Sequence, residues 1–354
     1  MSYRTANEYA FVNARIRGLK SRLLGVGDYE RLMQSASYED FIKMLMGTAY
    51  GPIISREHFV GVPYPDELAL ILSRHFAEVS HSITRTLTDR VRMFAESYMN
   101  MFLAESMKSI IRGLHVGLGR EEILRFAVPA SPEQEELFDR LVDTGSVDAV
   151  IDDLPYMDMR LALLTRVHAY EKYDSTAPLE VALEEWLLGT FSKVLAEFPL
   201  KERARVLSLL EARVVLRNTL TVLRALHLAL DEEILNLSLI QFTGPTDAVT
   251  DAIRGRTSWR EVFSTLESTK YADIAGRLAR IYGEQHNLAD VELAIEDYLA
   301  QKTKQQLVAF PFHLGAVFGL FGLKYYEIRN IRSIAVGIER GESPEMIRRV
   351  ITIF

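Results

Sequence analysis

Asn218-Thr-Leu-Thr-Val-Leu-Arg-Ala-Leu226 recurs in altered form at equal intervals on either side, as Ser106-Met-Lys-Ser-Ile-Ile-Arg-Gly-Leu114 and as Asn330-Ile-Arg-Ser-Ile-Ala-Val-Gly337. Each version sets a small polar residue, a basic residue and aliphatics at helical spacing. A version at a somewhat shorter interval, Asn13-Ala-Arg-Ile-Arg-Gly-Leu19, stands before Ser106. A second landmark is a serine followed by a helix start and an apolar residue eight positions on. It reads Ser37 to Leu45, Ser146 to Leu154, Ser258 to Leu266 and Ser343 to Ile351. The step from Ser146 to Ser258 equals the step from Ser106 to Asn218. Two unlike landmarks sharing one period, about 112 residues, mark an internal repeat in which neighbouring helical units bury one another's apolar faces.

The period predicts three helical copies, at residues 1–112, 113–224 and 225–354, with the two chain ends completing one another's pattern. Each serine is a natural N-cap, because its hydroxyl accepts a free backbone N–H of the first turn. Pro344 takes the favoured first helical position.

The class is all-α. Residues 66–112 and 200–243 contain neither glycine nor proline. If continuous, the first stretch would be about 70 Å long at roughly 1.5 Å per residue. Its apolar positions Leu68, Leu72, Phe76, Val79, Ile83, Leu87 and Val91 fall in steps of three and four, a helix stripe. Thr88–Asp89 offers a cap at which a second helix can begin. Further helical patterns cover Met157–Tyr173, Leu179–Ala196, Ala272–Gly283, Leu288–Val308 and Val317–Arg340.

The 354 residues carry a net charge of −7, a poor match to nucleic acid or to anionic lipid headgroups. There is no cysteine, which removes disulfides, zinc–thiolate sites and iron–sulfur clusters and fits a reducing cytoplasm. The opening residues are polar, without an apolar signal core. The most apolar window, Phe310–Leu323, is too short to cross a bilayer, which needs about 20 apolar residues. It reads as the buried entry of a helix.

The sequence carries few residue patterns that point to chemistry. Gly-Lys never occurs, so a Walker-type phosphate loop is absent; no histidine precedes a glutamate, so there is no HExxH zinc motif. No cofactor is expected. His75 and His81 stand well apart around their helix, which does not favour a shared metal. Asp148, Asp152, Asp153 and Asp158 would interest an all-α magnesium enzyme, but Pro155 breaks the helix that would align them, and the cluster reads as a solvated face. The polar residues of the repeated helix remain: Asn13, Arg15, Arg17, Lys108, Arg112, Asn218, Arg224, Glu327, Asn330 and Arg332. Such residues fix register by pairing within or between helices; the competing reading is that some face a partner.

The C-terminal run Pro311-Phe-His-Leu-Gly315-Ala-Val-Phe318, followed by Lys324, Glu327, Asn330-Ile-Arg332, Gly337, Gly341 and Pro344, resembles that of the central-stalk C subunit of archaeal-type ATP synthases, called the d subunit in vacuolar ATPases. Tyr9-Ala-Phe-Val-Asn13-Ala-Arg15-Ile-Arg17-Gly18-Leu19 is similar to that family's opening helix. Where the family's pattern favours an acid, a position Glu327 fills, the other copies carry Leu103 and Val215. The resemblance implies a non-catalytic rotor part, a funnel of three similar helical domains. Its base would sit on the cytoplasmic side of the membrane proteolipid ring and its cavity would receive the tip of the central shaft. Torque would pass between ring and motor during proton or sodium transport. Two other readings are a generic helical-repeat scaffold for another soluble complex and a metal-dependent all-α enzyme using the aspartate cluster.

Overall fold

The computed structural model describes residues 14, 16–57, 61–85, 87, 89–307 and 313–353. Every regular element among them is a helix, so the chain is all-α. The first glycine- and proline-free stretch forms two helices, Pro65–Thr84 and Asp89–His115, and breaks where Thr88–Asp89 predicted a new start; Thr88 lies outside the described residues. The second forms Leu200–Leu228 and Glu232–Ser238, parted at Ala229. The expected helix Met157–Tyr173 is two, Met157–Leu164 and Val167–Tyr173. Of the apolar window, residues 310–312 lie outside the described residues. The remainder opens the helix Leu314–Glu339, where Leu314, Val317, Leu320 and Phe321 are buried. Among the described residues no helix is long and apolar enough to cross a membrane.

All four serines cap helices. Ser37, Ser146, Ser258 and Ser343 accept the backbone N–H of Asp40, Ala149, Glu261 and Met346 at 3.2, 3.2, 3.4 and 3.3 Å. Behind the first three caps the same positions are buried: Phe41, Ile42 and Leu45; Val150, Ile151 and Leu154; Val262, Phe263 and Leu266. Ser343 differs from them. Its helix Pro344–Val350 follows the Asn330 helix as Arg120–Arg125 follows the Ser106 helix and Glu232–Ser238 the Asn218 helix, and the three starts are one period apart. A Cβ on Gly337 would lie 2.6 Å from Ile347 Cγ1, and one on Gly113 would lie 2.5 Å from Ile123 Cγ1. The same close approach therefore joins long helix to short helix in both places. Ser343 belongs to that short helix, and the grouping with Ser37, Ser146 and Ser258 by sequence alone is corrected: a serine cap marks a helix start without saying which helix.

The long helices end alike. Leu118, Leu230 and Glu342 each donate a backbone N–H to the carbonyl five residues earlier, at Gly113, Ala225 and Gly337, at 2.9 to 3.0 Å. Each closure passes through a left-handed residue, Gly117 (φ 73°), Ala229 (φ 50°) and Gly341 (φ 72°). This is a Schellman-type ending, and it recurs once per period.

The chain forms two compact units. One comprises Met1–Phe102, Val128–Glu135 and Ala300–Phe354; the other, Leu103–Ala127 and Glu136–Leu299. In the first, the Asn330 helix packs on Val26–Met33, Tyr38–Met46 and Pro65–Thr84, so the C-terminal helix completes the N-terminal ones. The second holds two hydrophobic clusters. One gathers residues from Leu103 to Trp186 and the other residues from Ala212 to Leu299.

Candidate functional site

The repeated polar residues are engaged mostly inside the protein. Asn218 is fully buried; its Nδ2 donates to the Ile240 carbonyl at 2.8 Å, and its Oδ1 accepts the Ile240 N–H at 3.0 Å. Asn330 makes the same pair of bonds with Thr352, also 22 residues on. The stretch after the short helix would otherwise leave buried backbone groups unpaired, and the carboxamide, donor and acceptor at once, satisfies both. Asn218 Nδ2 also reaches Thr250 Oγ1 at 3.0 Å.

The arginines tie the long helices to acids near the starts of other helices. Arg112 donates from Nε to Glu180 at 2.6 Å, and Arg224 donates to Glu292 at 2.7 Å, with both partners displaced by one period. Arg332 meets Asp66, in the first turn of Pro65–Thr84, at 2.7 Å. An acid there also complements the helix dipole. These pairs are half-exposed, and each contributes about 0–1 kcal/mol. Arg17 is exposed; Asn13 and Arg15 lie outside the described residues.

Lys108 is buried and bridges Glu105 and Glu184 at 2.8 and 3.0 Å. Arg217 reaches Glu184 as well. Burial opposes charge on Glu184, but Lys108, Arg217 and Arg213 outweigh it and hold its carboxyl down at about 2. Burial likewise opposes charge on Lys108, and the two glutamates keep the ammonium above its usual range.

Glu327 is the most enclosed carboxylate among the described residues, with no exposed surface. It accepts the Leu24 N–H at 2.6 Å, the Lys324 ammonium at 2.7 Å and the Tyr50 hydroxyl. Lys324 also donates to Tyr50 Oη at 2.7 Å and sits 4.3 Å from that ring's centre. Burial, and then the Glu327 charge, push the Tyr50 hydroxyl well above its usual range, so it stays a donor. Tyr271 repeats the local geometry of Tyr50: Thr48 and Thr269 each accept the tyrosine N–H at 3.2 Å. Val215 stands where Glu327 would be, and the buried Tyr271 hydroxyl has no hydrogen-bond partner among the described residues. The carboxylate of that copy is one turn earlier, on Glu211, which takes Lys270.

Among the described residues no three His, Asp or Glu side chains converge to hold a metal. Asp152 pairs with Arg160 at 2.8 Å. His75 and His81, placed apart around the helix by the sequence, line one cavity.

Sequence reasoning missed a second set. Val116 and Leu118 flank Gly117 and are 65% and 37% exposed; Leu228 and Leu230 flank Ala229 and are 63% and 41% exposed. They are the same apolar pair, one period apart, at two long-helix ends. The third end carries Arg340 and Glu342 instead. Alignment of the copies holds the signal, but exposure had to come from the structure.

A family model described as ATP synthase (C/AC39) subunit matches residues 12–350. The chain belongs to that family. It is 23% identical over 349 residues to the A-type ATP synthase C subunit of Methanocaldococcus jannaschii, covering 97% of this chain and 86% of the relative. It is 24% identical to the C subunit of the Haloferax volcanii A-type ATP synthase, covering 97% of both. A probable V-type proton ATPase d 2 subunit of Drosophila melanogaster is 27% identical over 180 residues, 47% of this chain and 51% of the relative. The C/AC39 match thus takes in all three long helices, with Asn218, Glu327 and Asn330 inside it.

Proposed function

We propose that this chain is a non-catalytic rotor part of an archaeal- or vacuolar-type ATP synthase or ATPase, joining the central shaft to the membrane proteolipid ring on its cytoplasmic side. The match of the family model across residues 12–350 carries the reading. The architecture supports it. Polar groups on the long helices are committed to internal ties, and close-packed interiors transmit strain because they compress little. In the same proposal the copies 1–112, 113–224 and 225–354 are the three domains of a funnel.

The exposed apolar ends Val116–Leu118 and Leu228–Leu230 are proposed contact points for a neighbouring protein of the assembly. Apolar side chains that cost free energy in water gain by being covered. Reconstitution of the full chain with ring and shaft proteins tests the proposal. Binding to both is expected, with weaker capture of at least one by a Val116→Ser, Leu118→Ser, Leu228→Ser, Leu230→Ser variant of unchanged Tm. Failure to bind either partner would leave the chain a scaffold for some other complex.

A further inference from the structure

Two cavities adjoin in the unit that holds the chain ends. One, of about 530 Å3, has apolar walls that include Leu23, Phe76, Val79, Ile83, Leu320 and Phe321. The other, of about 860 Å3, is edged by Arg56, Arg74, His81 and Arg85. Ile53, His75 and Ser82 line both, so an apolar chamber meets a charged cleft, lined by arginines and glutamates, along a shared wall. The chamber falls within the roughly 300–1,000 Å3 typical of small-molecule sites.

Cationic side chains stand on either side of the shared wall. Arg22 and Lys324 line the chamber and Arg56 the cleft. Burial first, and then Lys324, Arg56 and Arg22, hold the His75 imidazole below its ordinary range against the pull of Glu78. Lys324 is already committed to Glu327. Arg22, Arg56 and Arg74 are exposed, and among the described residues they have no carboxylate within ion-pair distance. Glu57, Glu78 and Glu135 line the cleft without pairing to them. One guanidinium in the apolar chamber and two in the cleft that adjoins it suit a ligand with charge at one end only, since a guanidinium fork binds phosphate or carboxylate oxygens in pairs.

We propose that these joined cavities bind a single-chain anionic amphiphile, its hydrocarbon tail in the chamber and its anionic head against Arg22, Arg56 and Arg74. The tail would cover apolar wall that no side chain of the described residues fills. The head would supply the negative charge that the three arginines lack among those residues.

Calorimetric titration of the full chain with dodecyl phosphate, kept below its micelle concentration, tests this. Saturable one-to-one binding is expected, at least ten-fold weaker in an Arg22→Gln, Arg56→Gln variant. Val79→Trp, which fills the chamber, should weaken it as much; should that variant lose Tm, the arginine variant decides. The His75 ring signal, followed by NMR against pH, should report an imidazole that protonates more readily in the complex. Equal affinity for uncharged dodecyl maltoside would overturn the proposal by reducing it to apolar adhesion. Equal affinity for inorganic phosphate, or no saturable binding, would overturn it too.

Discussion

Asn330 and Thr352 exchange two hydrogen bonds: Nδ2 gives one to the Thr352 carbonyl at 2.6 Å, and Oδ1 takes one from its N–H at 2.9 Å. Asn218 and Ile240 do the same one period earlier. A residue that recurs in a repeat because it holds buried backbone should behave alike in each copy. Asn330→Ala and Asn218→Ala each strand a buried donor and a buried acceptor, and should each cost on the order of 2–3 kcal/mol. Urea unfolding measures both. A loss in one and none in the other would show that the two clamps are not equivalent.

Ala229 holds φ 50° where the other two long helices end on Gly117 and Gly341. An L-residue with a Cβ is disfavoured by roughly 1–2 kcal/mol in that region, and glycine is not. Ala229→Gly is therefore expected to raise stability by about 1 kcal/mol, read as a higher Tm. Gly117→Ala and Gly341→Ala should lower it by a similar amount.

Glu184 carries a pH dependence of defined sign. Its carboxyl is held at about 2 in the folded chain against an ordinary 4.5. A depressed carboxylate stabilises the fold fully above its unfolded value and loses that contribution as pH falls toward the folded one. The contribution is on the order of 3 kcal/mol at neutral pH. The stability difference between the native chain and Glu184→Gln should shrink from about pH 4.5 downward. A gap that stays constant between about pH 6 and 3 would mean that Lys108 and Arg217 do not hold the charge.

Glu327 is enclosed with Lys324, Tyr50 and the Leu24 N–H. Removing it alone leaves an unpaired ammonium and two unpaired donors, so Glu327→Leu should cost about 3–5 kcal/mol. Adding Lys324→Met and Tyr50→Phe should recover much of that loss, since apolar replacement of a whole buried ionic group is often near neutral. A mutant cycle with chemical denaturation measures the coupling; strict additivity of the three changes would refute the network.

Much of the fold could be read from residue order, and the reasons are local. Serine caps work over one turn, so Ser37, Ser146 and Ser258 announce their helices without help from distant residues. The break at Thr88–Asp89 and the all-α class follow from spacing in the same way. The misgrouping of Ser343 shows where that logic stops, since a cap looks the same on any helix. The partners of the repeated polar residues were not legible either. Arg112 finds Glu180 68 residues away, and Glu327 finds Tyr50 277 residues away.

By itself, then, the sequence determined the all-α class, the serine caps and the repeat period, because each depends on side chains within a few turns of one another or on their plain recurrence. Only the tertiary structure decided which of the early helices the Asn330 helix packs on, that Glu327 is enclosed, and that Arg22 lines an apolar chamber whose adjoining cleft holds Arg56 and Arg74, all three with no carboxylate partner among the described residues. Those facts depend on which surfaces meet when the chain folds back on itself. Helical periodicity fixes which face of a helix is apolar, but not which other face will cover it.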